Sequence, residues 1–329
     1  MYLRIFLLAI VFLTGCSMED RKEKTVLFGN YLGEMMPKDS VIIFADGIIS
    51  TQFNERDMAI SPDGKEIFFT LKGKSFYTII NIKNEKNLWG NKKVAPFSGK
   101  YSDLEPCFSP DGKKLFFVSN RPIDDTKEPK DYDIWFMEKT DSGWGEPVNP
   151  GAPLNSDANE FYPSITKNGK VYFCARTEMT IGGEDLFFSD YVDGKYQVPV
   201  NLGDSINTVR DEFNAFVSPD EKFIIYTSTG LGAGLGGGDL WISFKDANDD
   251  WRKPINMGEK VNSPFLEFCP SLTPDGKFLF FTSNRTGDEK YSLKSLEINK
   301  IMKGLESTLN GSQNIYWIST EIINTLKQN

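Results

Sequence analysis

Histidine is absent from the chain. Every mechanism that uses imidazole as base, nucleophile or metal ligand is thereby excluded, and a catalyst would have to work with carboxylates, Tyr, Lys or Arg. Thiols are scarce: after Cys16 only Cys107, Cys174 and Cys269 remain. Each lies in or beside an apolar segment, so the three read as small core or channel residues and not as a disulfide framework. Positive charge is also short, with 37 Lys plus Arg against 46 Asp plus Glu, which argues against a nucleic-acid partner. Long apolar runs are missing too; the one at the N-terminus is too short to cross a bilayer as a stable helix.

That N-terminal run, MYLRIFLLAIVFLTGC, carries one positive charge at Arg4, apolar residues from Ile5 to Leu13, and then Leu13-Thr14-Gly15-Cys16. Residues 1–15 therefore read as an export signal and not as part of the fold. The Leu-x-Gly-Cys ending resembles the lipobox of bacterial lipoprotein signals, which implies that Cys16 is the lipidated first residue of the mature chain and its anchor in a membrane. Residues 16–30, opening with the charged SMEDRKEKT, form a flexible tether. Glu19-Asp20 resembles the short signal that places some lipoproteins on the cell surface. The expectation is an exported lipoprotein of the outer membrane, facing the periplasm or the outside.

Beyond the tether the sequence repeats itself. SPDGKEIFFT, SPDGKKLFFVSN, TKNGKVYFCAR, SPDEKFIIYTS and TPDGKFLFFTSN start at Ser61, Ser109, Thr166, Ser218 and Thr273, at spacings of 48, 57, 52 and 55 residues. Each Pro-Asp-Gly or Asn-Gly is a turn joining two strands. A run such as DYDIWFM or GGDLWIS adds a third strand, and a run such as GWGEPVNPG, KYQVPVNLG or DWRKPINMG a fourth. The last repeat has no fourth run of its own, and Val41–Ile48, ahead of the first hairpin, stands in for it. The expected fold is all-β: a five-bladed β-propeller of four-stranded antiparallel blades, closed by the N-terminal strand, with repeats at about 52–102, 103–156, 157–208, 209–263 and 264–329 in one domain spanning 31–329. A six-bladed ring would need a further repeat. The motif SPDGKxLFFxSNR resembles the WD-like repeat of TolB-type propellers, common among bacterial lipoproteins, and the resemblance specifies fold better than function.

Strand alternation sorts the innermost strand of each blade into columns. Six positions before each turn stand Glu55, Asp103, Glu160, Glu212 and Glu267, an acidic collar at one channel mouth. Four before stand Asp57, Glu105, Tyr162, Asn214 and Cys269, and two before Ala59, Cys107, Ser164, Phe216 and Ser271. The intervening positions are mostly apolar. Hairpin geometry is expected to bring Arg121 to Asp103, Arg285 to Glu267 and Arg176 to Glu160, making the collar a set of paired, turn-capping groups; unpaired, it would suit Ca²⁺ or another cation.

The same mouth carries the insertions 122–131, 177–184, 229–238 and 286–313. The glycine-rich 229–238 lacks the Lys-Ser/Thr of a phosphate loop and reads as flexible. Ile298, Ile301, Met302, Leu305 and Leu309 fall at helical spacing, with their apolar stripe expected to pack. DANDDW at 246–251 lacks the Gly and distal Glu of a calcium loop. Two functions follow. One is a membrane-tethered, non-catalytic binding or scaffold module recognising a cell-envelope protein, peptide or glycan at the loop-bearing mouth. The other is a glycosidase-like enzyme using Asp57 and Glu105, expected to face the open channel.

Overall fold

In a computed structural model, residues 27–124, 128–232, 234–287 and 297–328 are described. Cys16, the signal and most of the tether lie outside them. Five antiparallel sheets surround one axis, and each has four strands in its radial path. The innermost strands are Glu55–Ile60, Asp103–Phe108, Glu160–Ile165, Glu212–Val217 and Glu267–Leu272. Successive innermost strands pack side by side around the axis, and the last packs on the first.

Each hairpin turn is built the same way. In blade one the Ser61 hydroxyl donates to Asp63 Oδ1 at 2.6 Å and accepts from the Lys65 and Glu66 amides. Gly64 sits at φ 68°, where a Cβ would be strained. Blade three, which lacks the Pro and Asp, keeps the device with Thr166 bonded to Asn168. Blade four places Glu221 at φ 56°, and the Tyr172 hydroxyl (2.6 Å) and Lys170 (3.0 Å) hold its carboxylate. Second strands such as Phe278–Ser283 are buried throughout, as expected for strands sandwiched between sheets.

A second repeated device ties the fourth-strand region to the third strand. Asn155, Asn207 and Asn262 each accept the amide and donate to the carbonyl of one residue, Ile134, Leu186 and Leu240 respectively. At the ring closure Ser50 replaces the Asn: its hydroxyl serves Ile315 N and Ile315 O, both at 3.2 Å. Val41–Ile48 does close the last blade, although regular pairing is confined to Ile42↔Trp317 and Ile43↔Tyr316, followed by a bond from Phe44 N to Ile315 O. Phe44 and Ile49 are fully buried against Phe280 and Trp317.

Deleting residues up to Ser50 exposes the edge of Asn314–Ser319 and empties that core. The truncated chain should aggregate or lose its cooperative thermal transition; a melt matching the parent would mean that the ring closes elsewhere.

Candidate functional site

Every innermost strand contains a β-bulge. In blade one Arg56 pairs with Thr70 and Ala59 with Phe68, so two residues oppose one. The same shift occurs between Leu104 and Cys107, Phe161 and Ser164, Phe213 and Phe216, and Phe268 and Ser271. Asp57, Glu105, Tyr162, Asn214 and Cys269, the residues four before each turn, all have positive φ between 49° and 58°. Such a conformation costs a non-glycine residue roughly 1–2 kcal/mol, and three of the bulges go on directly to a proline, Pro106, Pro163 or Pro270. The extra residue changes the parity of the strand. The single alternating column expected from the sequence is therefore broken: Arg56 and Ala59 share one face and Glu55 lies on the other.

The five bulge residues converge on the axis and are all buried, which overturns the expectation of an open channel lined by solvated groups. At their centre is Arg56, a residue the column reading passed over. Its Nε donates to Asp57 Oδ1 at 2.6 Å and its Nη2 to Glu105 Oε1 at 2.8 Å, and its guanidinium lies 5.0 Å from the Phe268 ring centroid. Glu105 Oε2 accepts from the Tyr162 amide at 2.6 Å, the Cys269 thiol donates to Asp57, and the Tyr162 hydroxyl donates to Pro270 O at 3.0 Å. Burial pushes the Glu105 carboxyl up to about 8, with Arg56 opposing and Asp57 adding to the rise. The other four blades have Leu104, Phe161, Phe213 and Phe268 where blade one has Arg56. That departure was the signal in the sequence.

The collar is a set of five separate caps. Glu55, Glu160, Glu212 and Glu267 each accept the amide and hydroxyl of the residue four positions earlier, Thr51, Ser156, Thr208 and Ser263. Asp103 is bound by Ser119 (2.6 Å) and Arg121 (2.7 Å), and Glu267 additionally by Ser283 (2.8 Å) and Arg285 (3.1 Å). Arg176 does not reach Glu160; it pairs with Asp211 at 3.2 Å. Among the described residues no three acidic or thiol groups come together to hold a metal ion, because each collar carboxylate turns into its own blade. The cation expectation for the collar is corrected accordingly, and in 246–251, which lacks a calcium loop's Gly and distal Glu, Asp246 accepts the Asn248 and Asp250 amides.

Glu160 is the weak member. The residue paired with it is Ala175, where blades two, four and five place Ser119, Ser228 and Ser283. Its Oε2 is buried without a partner. Burial raises its pKa to about 7, the Ser156 bonds opposing and Asp133 and Asp131 adding.

Below the bulges a cavity of about 740 Å³ opens on the turn face, lined by Met58, Ile60, Pro106, Phe216, Pro270 and Leu272 among others, with Glu105 and Tyr162 at its inner end. The insertions occupy the opposite face. There Leu235 and Gly236 are seated and not loose: a Cβ on Gly236 would lie 2.0 Å from Phe265 O, and Asp239 accepts the Leu235 and Gly236 amides. The expected helix is α1, Ile298–Leu305, but Ile298, Met302 and Leu305 are exposed, so most of its stripe does not pack.

No family model and no curated protein matches the chain. Among solved structures, the catalytic domain of a GH62 α-L-arabinofuranosidase from Coprinopsis cinerea aligns with 10% identity and TM-score 0.51, covering 86% of this chain and 98% of that one. An α-L-arabinofuranosidase from Lactobacillus brevis gives 14% and 0.48 over 83% and 92%. TolB from Acinetobacter baumannii gives 14% and 0.46 over 82% of this chain, which spans 55% of that protein. At such identities the likeness is one of fold, here a propeller.

Two predictions follow from the buried charges. Arg56→Leu leaves Asp57 and Glu105 uncompensated and should cost about 3–5 kcal/mol in urea unfolding; adding Asp57→Asn and Glu105→Gln should recover part of it. Glu160 binds its proton more tightly folded than unfolded, so its contribution is full below about pH 4.5 and is lost as pH rises to about 7. The stability of Glu160→Gln relative to the parent should accordingly improve by on the order of 2–3 kcal/mol across that interval; an offset independent of pH would mean that Glu160 stays ionised throughout.

Proposed function

We propose that the protein is a non-catalytic binding propeller of the bacterial cell envelope, tethered through a lipid on Cys16, that recognises a protein or peptide at its loop-bearing mouth. The observation that carries this reading is a set of large apolar side chains left in solvent on that face. Ile123, Met179, Ile181, Val209, Leu235 and the α1 residues Ile298, Met302 and Leu305 are all exposed, Val209 to 77%. Ile181 and Val209 are neighbours, since a Cβ on the intervening Gly182 would meet Val209 Cα at 2.7 Å. Apolar clusters on a rigid scaffold mark protein-interaction sites, and they favour a polypeptide over a glycan.

The enzyme alternative draws no comparable support. Asp57 and Glu105 bind one guanidinium and are each at most 3% exposed, so neither is placed to meet a sugar. The remaining site residues of the sequence reading, Tyr162, Asn214, Arg121 and Arg285 included, are engaged within the fold. For this reading they position the binding face rather than touch the partner.

The experiment compares cross-linked partners recovered from envelope membranes with the parent and with Ile181→Asp plus Val209→Asp. The double variant should melt like the parent and lose its partner, with affinity at least tenfold weaker, since two buried apolar contacts are replaced by charges. Retention of the same partner at the same affinity would move the site off this face. Cys16→Ala should meanwhile shift the protein from the membrane pellet to the soluble fraction.

A further inference from the structure

We propose that the axial cavity on the turn face houses one acyl chain of the lipid carried by the protein's own Cys16, an inference that rests on reading Leu13–Cys16 as a lipid-attachment site. Apolar side chains such as Met58, Ile60, Phe216 and Leu272 make up most of the cavity wall, with Glu105 at its inner end and the exposed Lys167, Asp220 and Asn324 also lining it. Ser164 Oγ already accepts the Val217 amide at 2.9 Å, Ser271 Oγ donates to Met58 O at 2.8 Å, and the hydroxyls of Ser109, Ser218 and Thr273 are engaged in their turns. A ligand seated against these walls is held mainly by burial of methylenes. A volume of about 740 Å³ is ample for one alkyl chain.

The chain reaches the domain on this same face. Leu27 O accepts the Trp89 amide at 2.9 Å, and the Tyr31 ring meets Phe278 edge-on with centroids 5.5 Å apart. The Tyr31 hydroxyl lies beside Thr273 and Asp275 of the fifth turn, and Thr273 and Pro274 form part of the cavity wall. The incoming segment thus touches the rim. Cys16 stands eleven positions before Leu27, a reach of about 36–40 Å when extended. Four strands at roughly 4.8 Å spacing put the outer edge of a blade only about 15 Å from its innermost strand, so an acyl group on Cys16 can reach the cavity mouth. Held there, the chain is shielded from water whenever the protein is away from a bilayer, and it exchanges the cavity for the membrane on arrival.

The test titrates two forms of the full mature chain, free of detergent, with a dansyl-labelled undecanoic acid: the form acylated at Cys16 and the Cys16→Ala form. The Cys16→Ala protein should bind one equivalent, and the acylated protein at least tenfold more weakly because its own chain already fills the site. Ala59→Phe with Ser271→Phe, introduced into the Cys16→Ala chain, should also weaken binding at least tenfold, since each excluded methylene is worth about a factor of four. Blade four already carries Phe216 at the equivalent position. Ala59→Phe alone serves if the double variant does not melt cooperatively. Absence of saturable binding to Cys16→Ala overturns the site. Equal binding by both forms overturns the occupant, leaving a cavity for foreign alkyl chains. Intact mass of the purified parent is measured first: an unmodified Cys16 would sink the lipid-attachment reading itself, separately from the cavity.

Discussion

The structure depends on how one buried cation is accommodated at the propeller axis. Five bulges turn five side chains inward, and two of these are carboxylates, Asp57 and Glu105, that would repel each other in a dry site. Arg56 lies between them, reaching one with Nε and the other with Nη2. Its planar fork serves two acceptors at fixed angles, which a lysine ammonium could not do. The guanidinium also rests on the Phe268 ring of blade five. Blade one therefore binds blade two through Glu105 and blade five through Phe268 and Cys269, at the very junction where the ring closes.

The blades themselves are held by polar groups that recur because the backbone recurs. The Asn clasp on the third strand, the Ser/Thr-to-carboxylate cap, and the Ser-Asp turn each satisfy backbone groups that burial between sheets would otherwise orphan. Variation within these devices shows their logic. Ser50 stands in for Asn where the chain closes on itself, and Asp103, one methylene shorter than its counterparts, takes its partners from Ser119 and Arg121. Glu160, which faces Ala175, keeps an unpartnered oxygen, as Asp103 does, and burial raises the pKa of both.

The fold was legible because turn chemistry is local: a Ser-Pro-Asp-Gly before an apolar run states its conformation without help from the rest of the chain. Ring closure was legible by subtraction, from a last repeat one strand short. The site was less so. The bulge leaves no residue signature, since Asp57, Glu105, Tyr162, Asn214 and Cys269 share a φ but no chemistry, and a parity change halfway along a strand misassigns every position on one side of it. The pairing of Arg121 and Arg285 survived because hairpin ends stay together whatever the strand does between them. Arg176 did not: it stands one position past Ala175, the residue paired with Glu160, whereas Arg121 and Arg285 stand two past Ser119 and Ser283, and it meets Asp211 instead.

The closed axis has a consequence for how the two faces relate. Because the bulge residues bond to one another across the axis, no ligand passes from the turn face to the loop face, and each must work as a separate surface. They are nonetheless joined mechanically. Glu105 contributes to the inner end of the cavity and shares Arg56 with Asp57, while its carboxyl sits close enough to Glu184, at the edge of the 177–184 insertion, for that charge to raise its pKa. A change in the cavity that moved Glu105 would have to be absorbed by Arg56 and its partners, since a buried guanidinium cannot be left with one acceptor at little cost. The hub that blocks passage along the axis thus also connects the turn face physically to the loops that carry the exposed apolar cluster.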